Sequence, residues 1–470
     1  MTDLGATVRR QFPALSKPRR DVAVAYLDSA CMTLVPQAVL DATDEYYREY
    51  PGCAGRSAHR WAEEVTRRYE EARGTLGAFL GAADGASSVV FLRNATEAIN
   101  LVAQGIRWRR GDRVLISDQE HNSNLVPWQT LRERAGLKLD ILRLPESEGF
   151  DEDAFERALG RRPRLVSLFH TSNLDGRSLP VRSITERAHD HGAQVLFDGS
   201  QAAPHRPVDL GRIGADFYAV SGHKMLGPTG TGALLGRADA LESLRPPISG
   251  GETVEWSTLS AHALRPVPHR FEAGLQDYAG MLGWRAALRW LGRIGLDRVE
   301  AHDAELNLRA TRALAGQDRI RVIGPADPKD RASVLSFAVQ GIDPQDVAIF
   351  LDVGYGVLVR AGQHCVHSWY AARRLPGTVR ASFYVYNTPR DVDRIVEGLE
   401  ELLEKVPSRG RSAPRGTRSS RGLSDTSGAT RSARGRSPPS RRRGAGSGAA
   451  AARSVPPRGR AARDRAASAG

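Results

Sequence analysis

Short apolar runs that alternate with helix-like stretches constrain the fold of this chain more than any other feature. Helical patterns fall between several of these runs, for example at 95–105 and 183–192. The runs are SSVVFL (87–92), RVLIS (113–117), LVSLF (165–169), QVLFD (194–198), DFYAV (216–220) and GALLG (232–236). Strands that are apolar on both faces and alternate with helices predict a mainly parallel α/β sheet. Such sheets bind their ligands beyond the carboxyl ends of the strands.

The pattern changes after residue 283, where a long helical stretch at 284–315 begins. It is followed by strand-like runs at 333–339, 356–360 and 379–385, by a helical pattern at 344–353 and by a closing helix at 391–405. We therefore predict a large domain over 23–283 and a smaller α+β domain over 284–405. Residues 1–22 are expected to form an N-terminal arm that packs on the small domain.

The positive charge of the chain is concentrated in its last part. The formal net charge is +13, but residues 406–470 contain 16 Arg against two acidic residues. That segment alone carries +14 and leaves −1 for residues 1–405, so the main part of the chain is not a basic nucleic-acid-binding protein. Because the segment is rich in Arg, Ser, Gly and Pro and has no aromatic residue, we expect it to be disordered. It is either a solvated appendage, or an extension from a shifted reading frame, or a non-specific, salt-sensitive contact for polyanions.

Cysteine content and hydropathy indicate the compartment. The chain has three cysteines and neither an apolar secretory segment at its start nor an apolar run of 18 residues. These features predict a cytoplasmic protein without a disulfide framework or a membrane-spanning helix. Because neither C-x-x-C nor H-E-x-x-H occurs, we expect no metal site.

The most informative motif places a lysine beside an aspartate at neighbouring strand ends. Asp198 closes one predicted strand, and the next strand runs into Ser221-Gly-His223-Lys224. A lysine amine near a carboxylate suits a Schiff base to pyridoxal phosphate, whose ring nitrogen the carboxylate keeps protonated. Ser221 and His223 are then candidate phosphate donors. The alternative is a surface lysine next to a Gly-rich turn.

Three further segments of the sequence contain candidate functional residues. Ala95 and Thr96 open a helix directly after a strand, which suits an anion, although an ordinary helix cap has the same pattern. His121 lies in a polar loop and could stack on a flat cofactor or move protons. Cys365 has Arg360 nearby in a Gly-containing loop, which favours a reactive thiolate over a buried, inert cysteine. Arg360 and Arg380 could each bind a substrate carboxylate or form surface ion pairs.

Longer motifs in a fixed order reveal a family resemblance over about residues 12–404. They are YLDSA (26–30), RNATEAINLVA (93–103), EHNSNLVPWQ (120–129), FDGSQAAPH (197–205), DFYAVSGHKMLGPTGTG (216–232), RFEAG (270–274), RAGQHC (360–365) and RASFYVYNTPRDVD (380–393). On these motifs the chain resembles the group II cysteine desulfurases, fold-type I pyridoxal-phosphate enzymes of the class V aminotransferase superfamily. The resemblance implies a large domain with a mainly parallel seven-stranded sheet, a smaller α+β domain and a homodimer.

The same resemblance implies a role for each matching residue. Lys224 would carry the cofactor, Asp198 would pair with its pyridine nitrogen and Gln201 with its phenolic oxygen. His121 would stack on the ring and assist proton transfer. The remaining roles would be phosphate binding by Ala95, Thr96, Ser221 and His223, substrate carboxylate binding by Asn173, Arg380 and Arg360, and nucleophilic attack by Cys365. The substrate would be L-cysteine, the product L-alanine, and the sulfur would pass to an acceptor protein or small molecule.

Two departures from the family pattern and two rival functions complete the sequence-based expectations. Leu275-Gln276 stands where the family often has Thr-Pro, whose threonine reaches the cofactor phosphate of the other subunit, and Val366–Trp369 replaces the usual small and Pro-Leu residues. The first rival is a related pyridoxal-phosphate enzyme: a selenocysteine lyase, another C–S lyase, an epimerase or an aminotransferase. Cys365 favours the desulfurase, because epimerisation and transamination need no thiol. The second rival is a nucleic-acid-binding protein, which Asp198 and Lys224 oppose.

Overall fold

A computed structural model describes residues 3–16, 23–146 and 149–406 of the 470-residue chain. All of them belong to one compact unit, Met1–Gly410. The strands are β1 (Ala25–Tyr26), β2 (Val89–Leu92), β3 (Arg113–Ser117), β4 (Lys138–Leu142), β5 (Leu165–Phe169), β6 (Gln194–Asp198), β7 (Phe217–Ser221), β8 (Gly232–Gly236), β9 (Val254–Ser257), β10 (His262–Leu264), β11 (Ile320–Ile323), β12 (Val334–Val339), β13 (Val357–Leu358), β14 (Arg360–Gly362) and β15 (Thr378–Ser382). The helices are α1 (Leu4–Val8), α2 (Gln37–Glu49), α3 (Arg60–Phe79), α4 (Ala95–Gly105), α5 (Val126–Ala135), α6 (Glu152–Leu159), α7 (Val181–Asp190), α8 (Leu210–Ile213), α9 (Ala238–Ser243), α10 (Tyr278–Ile294), α11 (Leu296–Leu314), α12 (Pro344–Tyr355), α13 (His367–Arg373) and α14 (Pro389–Lys405).

The main sheet has seven strands in the order β2-β8-β7-β6-β5-β3-β4. Strands β3 to β7 pair in parallel, whereas β8 is antiparallel to both of its neighbours. The central strands β5 and β7 are buried along their whole length, because apolar residues from helices cover both faces of the sheet. The predicted α/β architecture with a mainly parallel seven-stranded sheet is therefore confirmed.

A second sheet of four antiparallel strands, in the order β11-β12-β15-β14, lies later in the chain. Helices α11, α12 and α14 pack beside it around a separate apolar cluster that includes Leu306, Leu351 and Leu399. The capping box at Thr388 and Asp391 fixes the start of α14. These elements form the predicted α+β portion.

The helical stretch predicted over 284–315 is two helices. Gly295 adopts φ +88°, a left-handed conformation that L side chains rarely adopt, and it separates α10 from α11. Because α10 begins at Tyr278 and packs against α2 and α3, the domain boundary predicted at 283/284 falls inside a helix. The division into domains stays a prediction. The predicted arm over 1–22 is described only in part, and the predicted disordered tail lies outside the described residues from 407 onward.

Two properties of the described residues bear on function. None of the helices that the structure describes combines the length and the hydropathy needed to cross a bilayer. Within the same residues, no cluster of His, Cys, Asp and Glu side chains is arranged to hold a metal ion.

Candidate active site

The site begins at the carboxyl ends of two neighbouring parallel strands. β6 ends at Asp198, and Asp198 pairs with Ala219 two residues before β7 ends. Gly199 follows directly, and a Cβ there would lie 2.0 Å from the ring of Tyr218, so only glycine lets the chain leave the strand so close to its neighbour. The turn leaves Asp198 at the sheet edge, with its Oδ1 accepting from the backbone N–H of Ser200 at 3.0 Å.

Lys224 follows β7 in a short turn that a distant residue holds in place. The backbone N–H and the hydroxyl of Thr33 both donate to the carbonyl of His223, at 2.9 and 3.0 Å. The same Thr33 hydroxyl accepts from the N–H of Leu226 at 3.0 Å. Thr33 is itself buried, so these bonds fix the turn on both sides of Lys224.

Burial and several nearby groups shift the pKa of the Lys224 amine. Burial lowers the pKa of Lys224, and the positive charge of Arg380 lowers it further. The negative charges of Asp198, Cys31 and Cys365 act in the opposite direction. A carboxylate, two thiols and a guanidinium therefore lie within electrostatic range of one amine, whose neutral form is a nucleophile and a base.

His121 faces the same group of charges. Burial lowers the pKa of His121 to about 4, and the charge of Lys224 contributes to the shift. Its Nδ1 accepts from the backbone N–H of Ser123 at 3.1 Å and lies 2.9 Å from the Ser123 hydroxyl. The ring is therefore neutral near pH 7, and the backbone bond assigns its proton to Nε2.

The N-terminus of α4 lies against the end of β7. The Ser221 hydroxyl oxygen accepts from the Ala95 N–H at 3.0 Å, so that amide is already paired. The hydroxyls of Thr96 and Ser123 lie 2.7 Å apart, which connects the start of α4 to the loop of His121. Burial and the charge of Lys224 lower the pKa of His223 to about 4. Hydroxyls, a helix N-terminus and a nearby cation are the donor set that an anion requires.

Cys365 lies in a strained turn between β14 and α13. His364 and Cys365 adopt φ +48° and +60°, which are uncommon for residues other than glycine. Arg360 donates from its guanidinium to the Cys365 Sγ at 3.3 Å. The Cys365 carbonyl accepts from the N–H of Asn122 at 2.8 Å, and the His364 carbonyl accepts from the Asn173 amide at 2.7 Å. The thiol is thus positioned by loops that follow β3 and β5.

Arg380 lies fully buried behind this turn. Its guanidinium donates to the Asp28 carboxylate at 3.1 Å and to the Asn173 carbonyl at 3.0 Å. Arg360 and Arg380 stand directly opposite each other on β14 and β15. Two like charges in this register repel, and Asp28 offsets only part of that repulsion, so the pair attracts a further anion.

Gln201 has one half of its amide unpaired. Its Nε2 donates to the Ala30 carbonyl at 2.7 Å, whereas its Oε1 is buried without a hydrogen-bond partner. A buried polar atom without a partner indicates a group that belongs beside it. Together with Asp198, Lys224 and the anion-binding donors, it fits a polar ring that carries a phosphate.

The fold brings the residues proposed from the sequence to one edge of the main sheet and, in the small sheet, to β14, β15 and the turn after β14. Sequence reasoning did not single out the side chains that position them, namely Asp28, Thr33 and Ser123. Asp28 lies in the YLDSA motif and Ser123 in EHNSN, so both motifs contained a signal, but their contacts join residues far apart in the chain.

Comparisons with known proteins agree with this geometry. The family model Aminotransferase class-V matches residues 25–395. A probable cysteine desulfurase of Streptomyces coelicolor is 39% identical over 403 residues, which cover 84% of this chain and 96% of that protein. The apo structure of a cysteine desulfurase from Thermococcus onnurineus NA1 is similar with a TM-score of 0.81 and 36% identity, covering 85% of this chain and 98% of the other. The cysteine desulfurase CsdA from Escherichia coli is similar with a TM-score of 0.78 and 35% identity, covering 86% and 99%.

Proposed function

The chain belongs to the class V aminotransferase family and, within it, to the group II cysteine desulfurases, and from this premise we propose what its residues do. The reaction converts L-cysteine to L-alanine and leaves the sulfur on an enzyme cysteine as a persulfide. The observation that carries the assignment of roles is the convergence of a lysine amine and a thiol: Cys365 lies within electrostatic range of Lys224 and 3.3 Å from Arg360.

Pyridoxal phosphate is the cofactor that the donor set fits. Lys224 would hold it through the amine, Asp198 would face the pyridine nitrogen, and the unpaired amide of Gln201 would face the phenolic oxygen. Its phosphate would be bound by Thr96, Ser221 and His223, and by Ala95 once the Ala95 N–H leaves the Ser221 hydroxyl. When bound, it supplies an electrophilic aldehyde and a protonated ring that accepts electrons from the substrate.

Lys224 and His121 are proposed to move protons. Burial lowers the pKa of Lys224, which favours the neutral amine, and this amine is proposed to take the proton from the substrate Cα. His121 is neutral near pH 7, with its proton on Nε2, so it can stack on an uncharged or cationic ring without repulsion and can pass a proton.

The substrate carboxylate is proposed to bind at the two facing arginines. Arg380 and Arg360 leave net positive charge opposite each other, and a carboxylate between them would relieve their repulsion. Asn173, whose carbonyl already accepts from Arg380, would add its amide. This anchoring would place the substrate thiol toward Cys365.

Cys365 is proposed as the nucleophile of the sulfur step. Its thiolate attacks the substrate sulfur, a new S–S bond forms and the substrate C–S bond breaks. The electron pair of the broken bond stays on the carbon skeleton, which is protonated and leaves as alanine. Arg360 stabilises the thiolate before attack, which is the state that reacts.

The test uses the full chain purified with pyridoxal phosphate and supplied with L-cysteine. We expect equal amounts of alanine and trapped sulfane sulfur. Supplying L-selenocysteine, L-aspartate or another amino acid instead separates the alternatives: a selenocysteine lyase prefers the selenium substrate, and an aminotransferase forms an oxo acid without releasing sulfur. Absence of alanine from L-cysteine would contradict the proposal.

A homodimer in the cytoplasm is the proposed state. Trp256 lies on strand β9, Leu259 lies in the turn between β9 and β10, and Leu275 follows later in the chain. All three side chains are exposed, so this region offers apolar surface to a second copy. All three cysteines are free, which suits a reducing compartment. Sedimentation should give twice the mass of one chain, and Trp256→Lys with Leu259→Lys should shift it toward one.

The acceptor of the sulfur is proposed to be a protein or a small molecule with a nucleophilic thiol, since a thiolate is what attacks a persulfide. The Arg-rich segment from 406 onward is proposed to contact polyanions without specificity. A chain ending at Val406 should keep its desulfurase activity and lose salt-sensitive binding to nucleic acid. Loss of activity on that truncation would contradict a role confined to binding.

A further inference from the structure

A second thiol lies beside the candidate active site. Cys31 follows the YLDSA motif in a tight turn, in which its backbone N–H donates to the carbonyl of Asp28 at 3.0 Å. The residue before it, Ala30, accepts from the Gln201 amide at 2.7 Å. Two residues after it, Thr33 binds the carbonyl of His223. Cys31 is therefore bracketed by two contacts to residues proposed to hold the cofactor.

The turn of Cys31 shares its cations with Cys365. The Asp28 carboxylate of this turn binds Arg380, Arg380 stands opposite Arg360, and Arg360 donates to the Cys365 sulfur. Both cysteines also lie within electrostatic range of Arg360 and of Lys224. The turns of Cys31 and Cys365 are therefore joined through Asp28 and the two arginines.

Cys31 is also open to approach. It is half-buried, as is Cys365, and the next residue, Met32, has 43% of its surface exposed. The third cysteine, Cys53, has a different setting, because its sulfur contacts the Tyr278 hydroxyl at 3.9 Å and no candidate site residue. Of the three cysteines, Cys31 and Cys365 are the two whose turns contact candidate site residues.

We propose that Cys31 takes the sulfane sulfur from the Cys365 persulfide and holds it as a second persulfide before it passes to an external acceptor. This proposal rests on the proposed function, since it needs Cys365 to be loaded first. It makes the enzyme a two-thiol relay within one chain.

The transfer balances without any further reagent. The Cys31 thiolate attacks the outer sulfur of the Cys365 persulfide, one S–S bond forms on Cys31 and the S–S bond on Cys365 breaks. Cys365 leaves as a thiolate beside Arg360, and the hydrogen stays on the outer sulfur, which is now bonded to Cys31. The transferred sulfur keeps its oxidation state, so the exchange consumes no oxidant and no reductant.

The test maps the transferred sulfur by mass. The full holoenzyme is mixed with L-cysteine without added thiol and stopped with iodoacetamide at a series of times, and alkylated persulfides are located on peptides. We expect a persulfide first on Cys365 and then on Cys31. Cys31→Ser should keep the Cys365 persulfide and lose roughly half of the trapped sulfane sulfur at long times. Cys53→Ser, the matched control, should resemble the wild type.

Any other result of this experiment contradicts either the transfer from Cys365 to Cys31 or the proposed function on which it rests. A persulfide on Cys365 with none on Cys31 at any time overturns the relay, as does a Cys31–Cys365 disulfide formed with release of sulfide. A persulfide on Cys31 in Cys365→Ser also overturns it, because the sulfur would then arrive by another route. Absence of both persulfides and of alanine instead sinks the proposed function.

Discussion

The guanidinium of Arg360 lies 3.3 Å from the sulfur of Cys365 and donates to it. The two residues are five positions apart, on β14 and in the turn that follows, so the hairpin that presents the thiol also supplies its counter-charge. Because the Asn122 and Asn173 loops fix the backbone of the same turn, the pair is assembled before substrate arrives.

Replacing Arg360 should slow the reactions of the Cys365 thiol. Arg360→Met keeps much of the side-chain volume and removes the charge that attracts a thiolate. We expect alkylation of Cys365 by iodoacetamide at pH 7 to slow about tenfold, the effect of roughly 1.4 kcal/mol of lost charge interaction. Arg182→Met, on the exposed pair with Glu186, is the control. An unchanged rate would mean that the contact does not activate the thiol.

Lys224→Ala should abolish the bound cofactor's visible absorbance. The amine that would join the cofactor aldehyde is missing in this variant, so borohydride should no longer fix pyridoxal phosphate to the chain. Lys138→Ala removes an exposed lysine from β4 and should leave the spectrum as in the wild type. A full band in the Lys224 variant would show that another group carries the cofactor.

Cys365→Ser should separate cofactor binding from sulfur transfer. The hydroxyl is a poor nucleophile toward sulfur, so alanine formation from L-cysteine should fall to background while the visible band persists. Cys53→Ser should turn over normally. Unchanged turnover in the Cys365 variant would remove this residue from the mechanism.

The buried Glu120 should make the stability of the protein fall as pH rises. Burial raises the pKa of Glu120 from 4.5 to about 8, although Ser117 and Asn124 donate to its carboxylate. A carboxyl group whose pKa is raised by folding makes its full contribution to stability below about pH 4.5. This contribution is lost as the pH rises through about 8. Urea midpoints should therefore fall across this window in the wild type more than in Glu120→Gln. If the urea midpoints of the wild type and of Glu120→Gln change with pH by the same amount, Glu120 does not cause the pH dependence, even if one protein is more stable than the other.

Removing Arg73 should destabilise the fold strongly. Arg73 and Glu272 are both buried, their atoms lie 2.5 and 2.9 Å apart, and Glu272 also accepts from the Phe91 N–H. Arg73→Met leaves a buried carboxylate without its counter-charge, and we expect a loss of about 3–5 kcal/mol in unfolding free energy. Arg182→Met on the exposed pair should cost less than about 0.5 kcal/mol. Denaturant unfolding measures both, and equal effects would refute the argument.

The sequence allowed the main sheet to be predicted because its strands are apolar on both faces. The bounds 113–117, 165–169, 194–198 and 232–236 agree with the structure. Strand β4, by contrast, has exposed Lys138 and Ile141 and lies at the sheet edge, so it lacks the continuous apolar run that marks the others. The break at Gly295 was missed because the apolar period continues on both sides of it.

The candidate site was predicted through motifs, and its supporting contacts were not. Lys224 and Asp198 carry their chemistry in the residue type and lie at strand ends, which pattern reasoning can locate. Thr33 contacts the turn of Lys224 across about 190 positions of sequence, and Asp28 meets Arg380 across 352. No local pattern encodes such contacts, because they depend on how the two sheets approach each other.

The backbone bonds that hold the turn of Cys365 have a consequence for sulfur delivery. Because the carbonyls of His364 and Cys365 both accept hydrogen bonds from loops of the main sheet, the turn that carries Cys365 is held against that sheet. If Cys365 carries the sulfur as proposed, the thiol that accepts it, either Cys31 or an external one, must approach this turn. The shape of the approach to this turn would then select among external acceptors.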